Sequence, residues 1–215
     1  MSRSAEKLIS QIKQDIADGI LKPGDQLEEA ALSQRFGVSR TPIREAVRSM
    51  VDSGLLETRP RKGAFVRTMS AKELLDLFEV AAELEAMACR VAAQNLTQGD
   101  IEAIKTGLEA CHAAAKNGDA LGYSKSNLEF HRAIHRASGN HWLIDQLRQI
   151  ELHLNAYRSM PYGVRGRLEK SAQEHEDIFN AILEGDGERA RILMHDHMML
   201  QGQRLPSLLQ ALEAS

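Results

Sequence analysis

The chain has 215 residues, 43% of them hydrophobic and 27% charged, with a net charge of −3 at pH 7. That content supports one large or two small packed domains and argues against disorder. No apolar run approaches the roughly 20 residues of a membrane span, and Met1-Ser2-Arg3-Ser4 leads into no signal-peptide core, so a cytoplasmic protein with no membrane partner is expected. The charge is unevenly placed. Residues 1–68 carry 12 Lys and Arg against 9 Asp and Glu, whereas residues 69–215 carry 15 against 21. A positive excess confined to the first third is the footprint of a nucleic-acid-binding head.

The elements of that head follow in order. Leu8, Ile12, Ile16 and Ile20 recur every four residues and predict a helix from about Ala5 to Ile20, with one apolar stripe. Lys22-Pro23-Gly24-Asp25 breaks the chain. Glu28 to Phe36 reads as a short helix stopped by Gly37, which suits a left-handed end. Ser39-Arg40-Thr41-Pro42-Ile43-Arg44-Glu45-Ala46 then starts another helix, with Thr41 able to cap it and Pro42 tolerated at its first position. Arg40 and Arg44, four apart, share one face. This is a helix-turn-helix layout, whose second helix presents its N-terminal residues to base edges in the major groove of duplex DNA. Leu55–Arg59 and Ala64–Arg67 read as two strands joined by the basic turn Pro60-Arg61-Lys62-Gly63, a β-wing.

Leu21-Lys22-Pro23-Gly24-Asp25-Gln26-Leu27, Leu32-Ser33, Val38 to Ala46 and Gly54-Leu55-Leu56 resemble the DNA-binding domain of the GntR family of bacterial transcription regulators. The resemblance covers residues 5 to about 68. It implies that Ser39, Arg40, Thr41 and Arg44 meet DNA from the recognition helix and Lys62 and Gly63 from the wing tip. One departure is Ala30, where the family usually has an Arg; Arg35, on the next turn, is the candidate substitute.

Residues 1–68 are therefore expected to form a winged helix-turn-helix and 69–71 a linker. Residues 72–215 are expected to form an all-α antiparallel helical bundle, since no strand pattern follows Thr68-Met69-Ser70. Helices are predicted near 71–94, 97–117, 119–138, 140–159, 167–184 and 187–204. The breaks between them carry Gly or Asn past one helix end and Asp or Thr ready to cap the next. Cys89 and Cys111 form no CxxC and read as buried, reduced thiols.

All eight histidines lie at residue 112 or later. Asn127 and His131, four apart, share a helix face. His175 sits on a later helix. His195 and His197 point differently, so one of the two can join a given site. Three imidazoles and one oxygen from separate helices make a metal site with open positions. His135, one turn beyond His131, is a candidate to line the same space. His112, His141 and His153 have no partner at ligand spacing, Trp142 is expected to pack at a helix start, and Met194, Met198 and Met199 read as core or dimer contact. A metal with three His ligands suggests, as the alternative, a hydrolase-like helical domain fused to a DNA-binding head. No general base shares a face with the ligands, and the expected answer is that the chain is not an enzyme.

Glu83-Leu84-Glu85 with Ala92-Ala93, Asn127 to His131, Ala137 to Asn140, Glu174-His175 with Ile178 and Ala181, and Gly185-Asp186 with Ala190 resemble the FadR-like branch of the GntR family, with its FCD-type ligand-binding domain. The resemblance implies a divalent metal, zinc or nickel, held by Asn127, His131, His175 and His197, with His197 rather than His195 at the family spacing. It implies a homodimer on a palindromic duplex operator, and repression relieved by a small organic acid bound at or near the metal. Asn127 stands where Asp is common, which leaves the cation's charge uncompensated by its ligands. Ala81 and Ala82 stand where an Arg often faces the cavity, so Arg158, Arg148 or Arg132 is the candidate clamp for an acid ligand.

Overall fold

The computed structural model describes residues 2–155, 157 and 166–213, the side chains of 201 and 203–213 excepted. The chain divides into two compact units. The first holds residues up to Ser70 together with 152–155, and the second holds 71–151, 157 and 166 onward. Among the described residues no helix is long and apolar enough to cross a membrane.

In the first unit, α1 (Arg3–Ala17) is capped by Ser2, whose hydroxyl accepts from the Ala5 N–H. Leu8, Ile12 and Ile16 are buried as their spacing predicts, but the helix stops at Ala17 and Ile20 is 64% exposed. Gly19, at φ 71°, turns the chain before Ile20 can continue the stripe. After the two-residue strand β1 (Gln26–Leu27) come α2 (Glu29–Phe36) and α3 (Arg40–Asp52). Gly37 ends α2 at φ 64°. The α3 helix starts two residues earlier than Thr41 and Pro42 suggest: Ser39 is its N-cap and Pro42 its third residue. Pro is tolerated there because the first turn's N–H groups have no intrahelical acceptor. Strands β2 (Leu56–Arg59) and β3 (Gly63–Val66) form the wing, and β1 adds to β3 to give a three-stranded antiparallel sheet of order β1-β3-β2. Ile43, Ala46, Met50, Leu56 and Val66 close the core over the α1 stripe.

The second unit comprises α4 (Ala71–Asn95), α5 (Gln98–Lys116), α6 (Ala120–Ala137), α7 (His141–Leu154) except for its last three residues, α8 (Arg167–Leu183) and α9 (Gly187–Glu213). Thr97 and Asp100 form a reciprocal capping box at the start of α5, and Asp119 caps α6 by accepting from the Gly122 N–H. α7 ends five residues before the expected boundary. α4 packs on α9, α5 on α6 and α8, and α8 on α9. Cys89 and Cys111 are buried thiols, and burial pushes Cys111 up to about 12. The architecture is mostly α, a winged helix-turn-helix followed by a helical domain, as the sequence predicts.

One packing detail sets the position of α6. A Cβ on Gly107 would lie 2.8 Å from Phe130 Cα and 3.0 Å from its N. Helix propensity alone favours Gly107→Ala by about 1 kcal/mol. The overlap is with backbone that cannot rotate away, and overpacking of this kind costs about 1–3 kcal/mol. Gly107→Ala is therefore expected to lower the denaturation midpoint of the helical unit; an increase would show that α5 and α6 are free to separate.

Candidate functional site

Four-residue spacing on α6 brings Asn127, His131 and His135 to one face, all at most 3% exposed. α8 supplies His175 and α9 supplies His197, both at most 1% exposed. Ligand atoms of His131, His175 and His197 lie within 4.8 Å of one another. Phe130 stacks on His175 with 4.3 Å between ring centroids, which fixes the plane of that imidazole.

The outer nitrogens of two of these rings are held by carboxylates. His131 Nδ1–H donates to Glu85 Oε2 at 3.0 Å, and His135 Nε2–H donates to the same oxygen at 2.8 Å. His197 Nδ1–H donates to Glu174 Oε2 at 2.7 Å. Glu174 is gripped from its other side by Arg167, whose Nη1 and Nη2 donate at 3.0 and 2.8 Å. With Nδ1 of His131 and of His197 engaged by a carboxylate, Nε2 is the nitrogen each ring has left to offer. The Nε2 atoms of His175 and His197 are 3.3 Å apart. His131 Nε2, His175 Nδ1 and Asn127 Oδ1 are buried with no hydrogen-bond partner.

Electrostatics follow from burial. Burial, and then His197, His131 and Arg167, hold His175 well below the usual imidazole value. Burial brings His197 down to about 4 against the opposing Glu174 hydrogen bond. Burial pushes Glu174 up, but its bonds from His197 and Arg167 outweigh this and bring it to about 2. Burial likewise raises Glu85, and His135 and His131 reverse it to well below the carboxylate range. At neutral pH the rings of His175 and His197 are therefore uncharged and the two acids ionised, the state a cation requires.

This predicts an acid-sensitive helical unit in metal-free protein. Unfolded imidazole takes up a proton below about 6.5, but folded His197 does so only near 4. Its effect is nil above 6.5, and stability is lost as pH falls from 6.5 to 4, on the order of 3 kcal/mol. Glu174 acts in a lower window, its contribution intact above 4.5 and lost toward 2. Thermal melts in EDTA between pH 7.5 and 4.5 check this; a midpoint constant over that range would contradict it.

The donor set fits a divalent ion. Three buried imidazoles bring ligand atoms together, and His131 Nε2 has no hydrogen-bond partner; an added cation is what such an arrangement can hold. Carboxylates behind ligand imidazoles are the usual outer support of such sites. Asn127 brings no charge, but the fold places the ionised Glu85 directly behind His131, an anion that helix spacing cannot reveal. His135 lies on Glu85 rather than alongside the three converging rings. His195 is partly exposed and lies near Glu83, at 3.6 Å. His112 is near Glu176 on the surface, and Trp142 is 72% exposed, tilted over His141 rather than packed inward. Met194 and Met198 are buried. Of the candidate acid clamps, Arg132 is bound by Glu151 and Glu129, and Arg148 lies near Asp145 on the surface. Arg158 lies outside the described residues. Glu85 and Glu174 belong to the motifs that carry the resemblance, but helix spacing turns Glu174 off the face of His175 and does not show that it meets His197; Arg167 gives no signal in the sequence.

On the first unit, Ser39, Arg40, Thr41 and Arg44 open α3 and are exposed, as are Lys62 and Gly63 at the wing. Arg44 rests on Glu29 at 3.3 Å. Arg61 holds φ 61° at the wing turn, a conformation rare outside Gly and Asn. Arg35 donates two hydrogen bonds to the buried Asp15, so its guanidinium is turned toward α1.

Residues 4–66 match the family described as bacterial regulatory proteins, gntR family, and residues 76–199 match the FCD domain. The chain is 30% identical over 187 residues to the "Probable D-xylose utilization operon transcriptional repressor" of Paenarthrobacter nicotinovorans, covering 87% of this chain and 82% of that protein. It is 31% identical over 200 residues to the "HTH-type transcriptional repressor GlaR" of Escherichia coli, covering 87% and 89%. Among solved structures, E. coli McbR/YncC superposes with a TM-score of 0.83 at 25% identity, over 98% of this chain and 99% of that one. These families and relatives are transcriptional regulators and not enzymes, which sets aside the hydrolase alternative. The protein belongs to the GntR family of DNA-binding transcriptional regulators, with an FCD domain as its C-terminal part.

Proposed function

We propose that this regulator is a repressor whose grip on DNA is released by a small carboxylate bound at a divalent metal site in the helical domain. Residues 1–68 act as the DNA-binding head, 69–71 as linker and 72–215 as the effector domain. Asn127, His131, His175 and His197 hold the ion, zinc or nickel, in the cytoplasm where the operator lies. The observation that carries this reading is that ligand atoms of the buried His131, His175 and His197 lie within 4.8 Å of one another. When bound, the ion supplies a positive centre that attracts a carboxylate oxygen into a low-dielectric site. The chain's own part is to hold the ligand rings by Glu85 and Glu174 and to exclude water.

Ser39, Arg40, Thr41 and Arg44 read base edges, and Lys62 and Gly63 meet the backbone or minor groove. Arg35 reaches phosphate only by giving up part of its pairing with Asp15. A homodimer places two α3 helices about 34–36 Å apart on a palindrome. The acid alters DNA affinity only as far as it binds the two states differently. Elemental analysis of purified, untagged protein tests the metal: about one ion per chain is expected, and none would sink it. Fluorescence anisotropy on palindromic and scrambled duplexes near physiological salt tests the rest, where equal affinity would refute sequence-specific reading.

A further inference from the structure

Beside the candidate metal donors, the buried polar atoms without partners among the described residues include Arg167 Nε and Ser171 Oγ. Arg167 is 1% exposed and is the largest fully buried side chain among those described; Ser171 is 0% exposed. Arg167, Ser171 and His175 follow at four-residue intervals on α8, so they form one stripe that leads to the histidine cluster. Arg167 spends Nη1 and Nη2 on Glu174, and its third donor edge is unmatched. Ser171 is also unusual for a mid-helix hydroxyl. Such groups ordinarily return to the carbonyl four residues back, as Thr106 does to Glu102 O at 2.8 Å and Ser126 to Gly122 O at 3.0 Å. Ser171 does not.

An unmet buried donor costs about 1–3 kcal/mol, and two on one stripe beside a ligand site ask for a common occupant. Guanidinium Nε–H only donates and the hydroxyl can donate, so the occupant is an acceptor. The cationic guanidinium favours an anionic one. One helical turn, about 6 Å of rise, separates Ser171 from His175. We propose that Arg167 and Ser171 form a subsite for the distal carboxylate of a short dicarboxylic effector whose proximal carboxylate lies at the histidine cluster. This rests on the effector reading above and narrows it from acids in general to dicarboxylates.

The test is isothermal titration calorimetry of the zinc-loaded full chain with succinate against butyrate and glutarate against pentanoate. Each pair keeps chain length and changes one carboxylate. At least one diacid is expected to bind about tenfold or more tightly than its monoacid. Ser171→Ala, which removes one oxygen and favours the helix, is expected to cut that ratio several-fold and leave monoacid affinity unchanged. Equal affinities within each pair, no binding of any probe, or a ratio unaltered in Ser171→Ala would each overturn the proposal, the last by showing that the stripe is met by water alone. Repeating the titration in EDTA separates the two ideas. If zinc does not bind but a Ser171-dependent diacid preference persists, the metal reading fails and the subsite stands.

Discussion

His175→Ala is expected to reduce bound metal from about one ion per chain to below about a tenth while leaving the helical circular dichroism intact, since loss of one of three His ligands opens the site. His175 is the informative position because no carboxylate depends on it. Its Nδ1 is partnerless and its Nε2 faces only His197. Truncation forfeits packing on Phe130, worth on the order of 2 kcal/mol, but also removes a buried unmet nitrogen that costs about 1–3 kcal/mol. The two nearly offset, so the metal-free melting point should barely move. His131→Ala differs. It too loses the ion, but it leaves the buried Glu85 with His135 as its remaining partner, and breaking half of a buried charged cluster is expected to lower the metal-free melting point. The pair of variants therefore separates ligand loss from loss of support. Metal retained at one per chain in His175→Ala would remove it from the ligand set.

Arg44→Ala is expected to cost about 1–3 kcal/mol of discrimination between operator and mismatched duplex, with guanine contact as the reason. In the free protein the Arg44 guanidinium lies beside Glu29 at 3.3 Å, with both side chains well exposed. An exposed pair of this kind is worth under about 1 kcal/mol, so DNA can break it at little cost. Lys62→Ala should instead weaken binding evenly on all sequences and lower the salt slope by about 1. Anisotropy titrations of both variants at several salt concentrations decide the matter. If both variants changed specificity equally, the division between base-reading helix and backbone-touching wing would be wrong.

Helix periodicity, Gly stops and capping pairs placed α5, α6 and α8 within a residue or so of their observed bounds. These are local signals, set by backbone geometry within a turn or two. The same locality explains the misses. The stripe at Leu8, Ile12 and Ile16 ran on to Ile20 by spacing, but the Gly19 turn takes Ile20 out of the core. β1 is two residues long and exists only because β3 lies alongside it.

By itself the sequence determined the family and the two-part architecture, because motif spacing and four-residue repeats are properties of one helix at a time, and through the family resemblance it offered Asn127, His131, His175 and His197 as candidate ligands. It could not determine which groups meet across helices. Glu85 and His131 are 46 residues apart, and Glu174 and His197 are 23 apart. Whether such pairs touch depends on the rotation and register of packed helices, which no local pattern encodes. Only the tertiary structure put a shared carboxylate behind His131 and His135, turned Arg35 toward Asp15, and buried Arg167 and Ser171 with donors to spare. Burial is what gives these placements their consequence, since an unmatched charge or donor matters little in water and costs kilocalories where water is excluded.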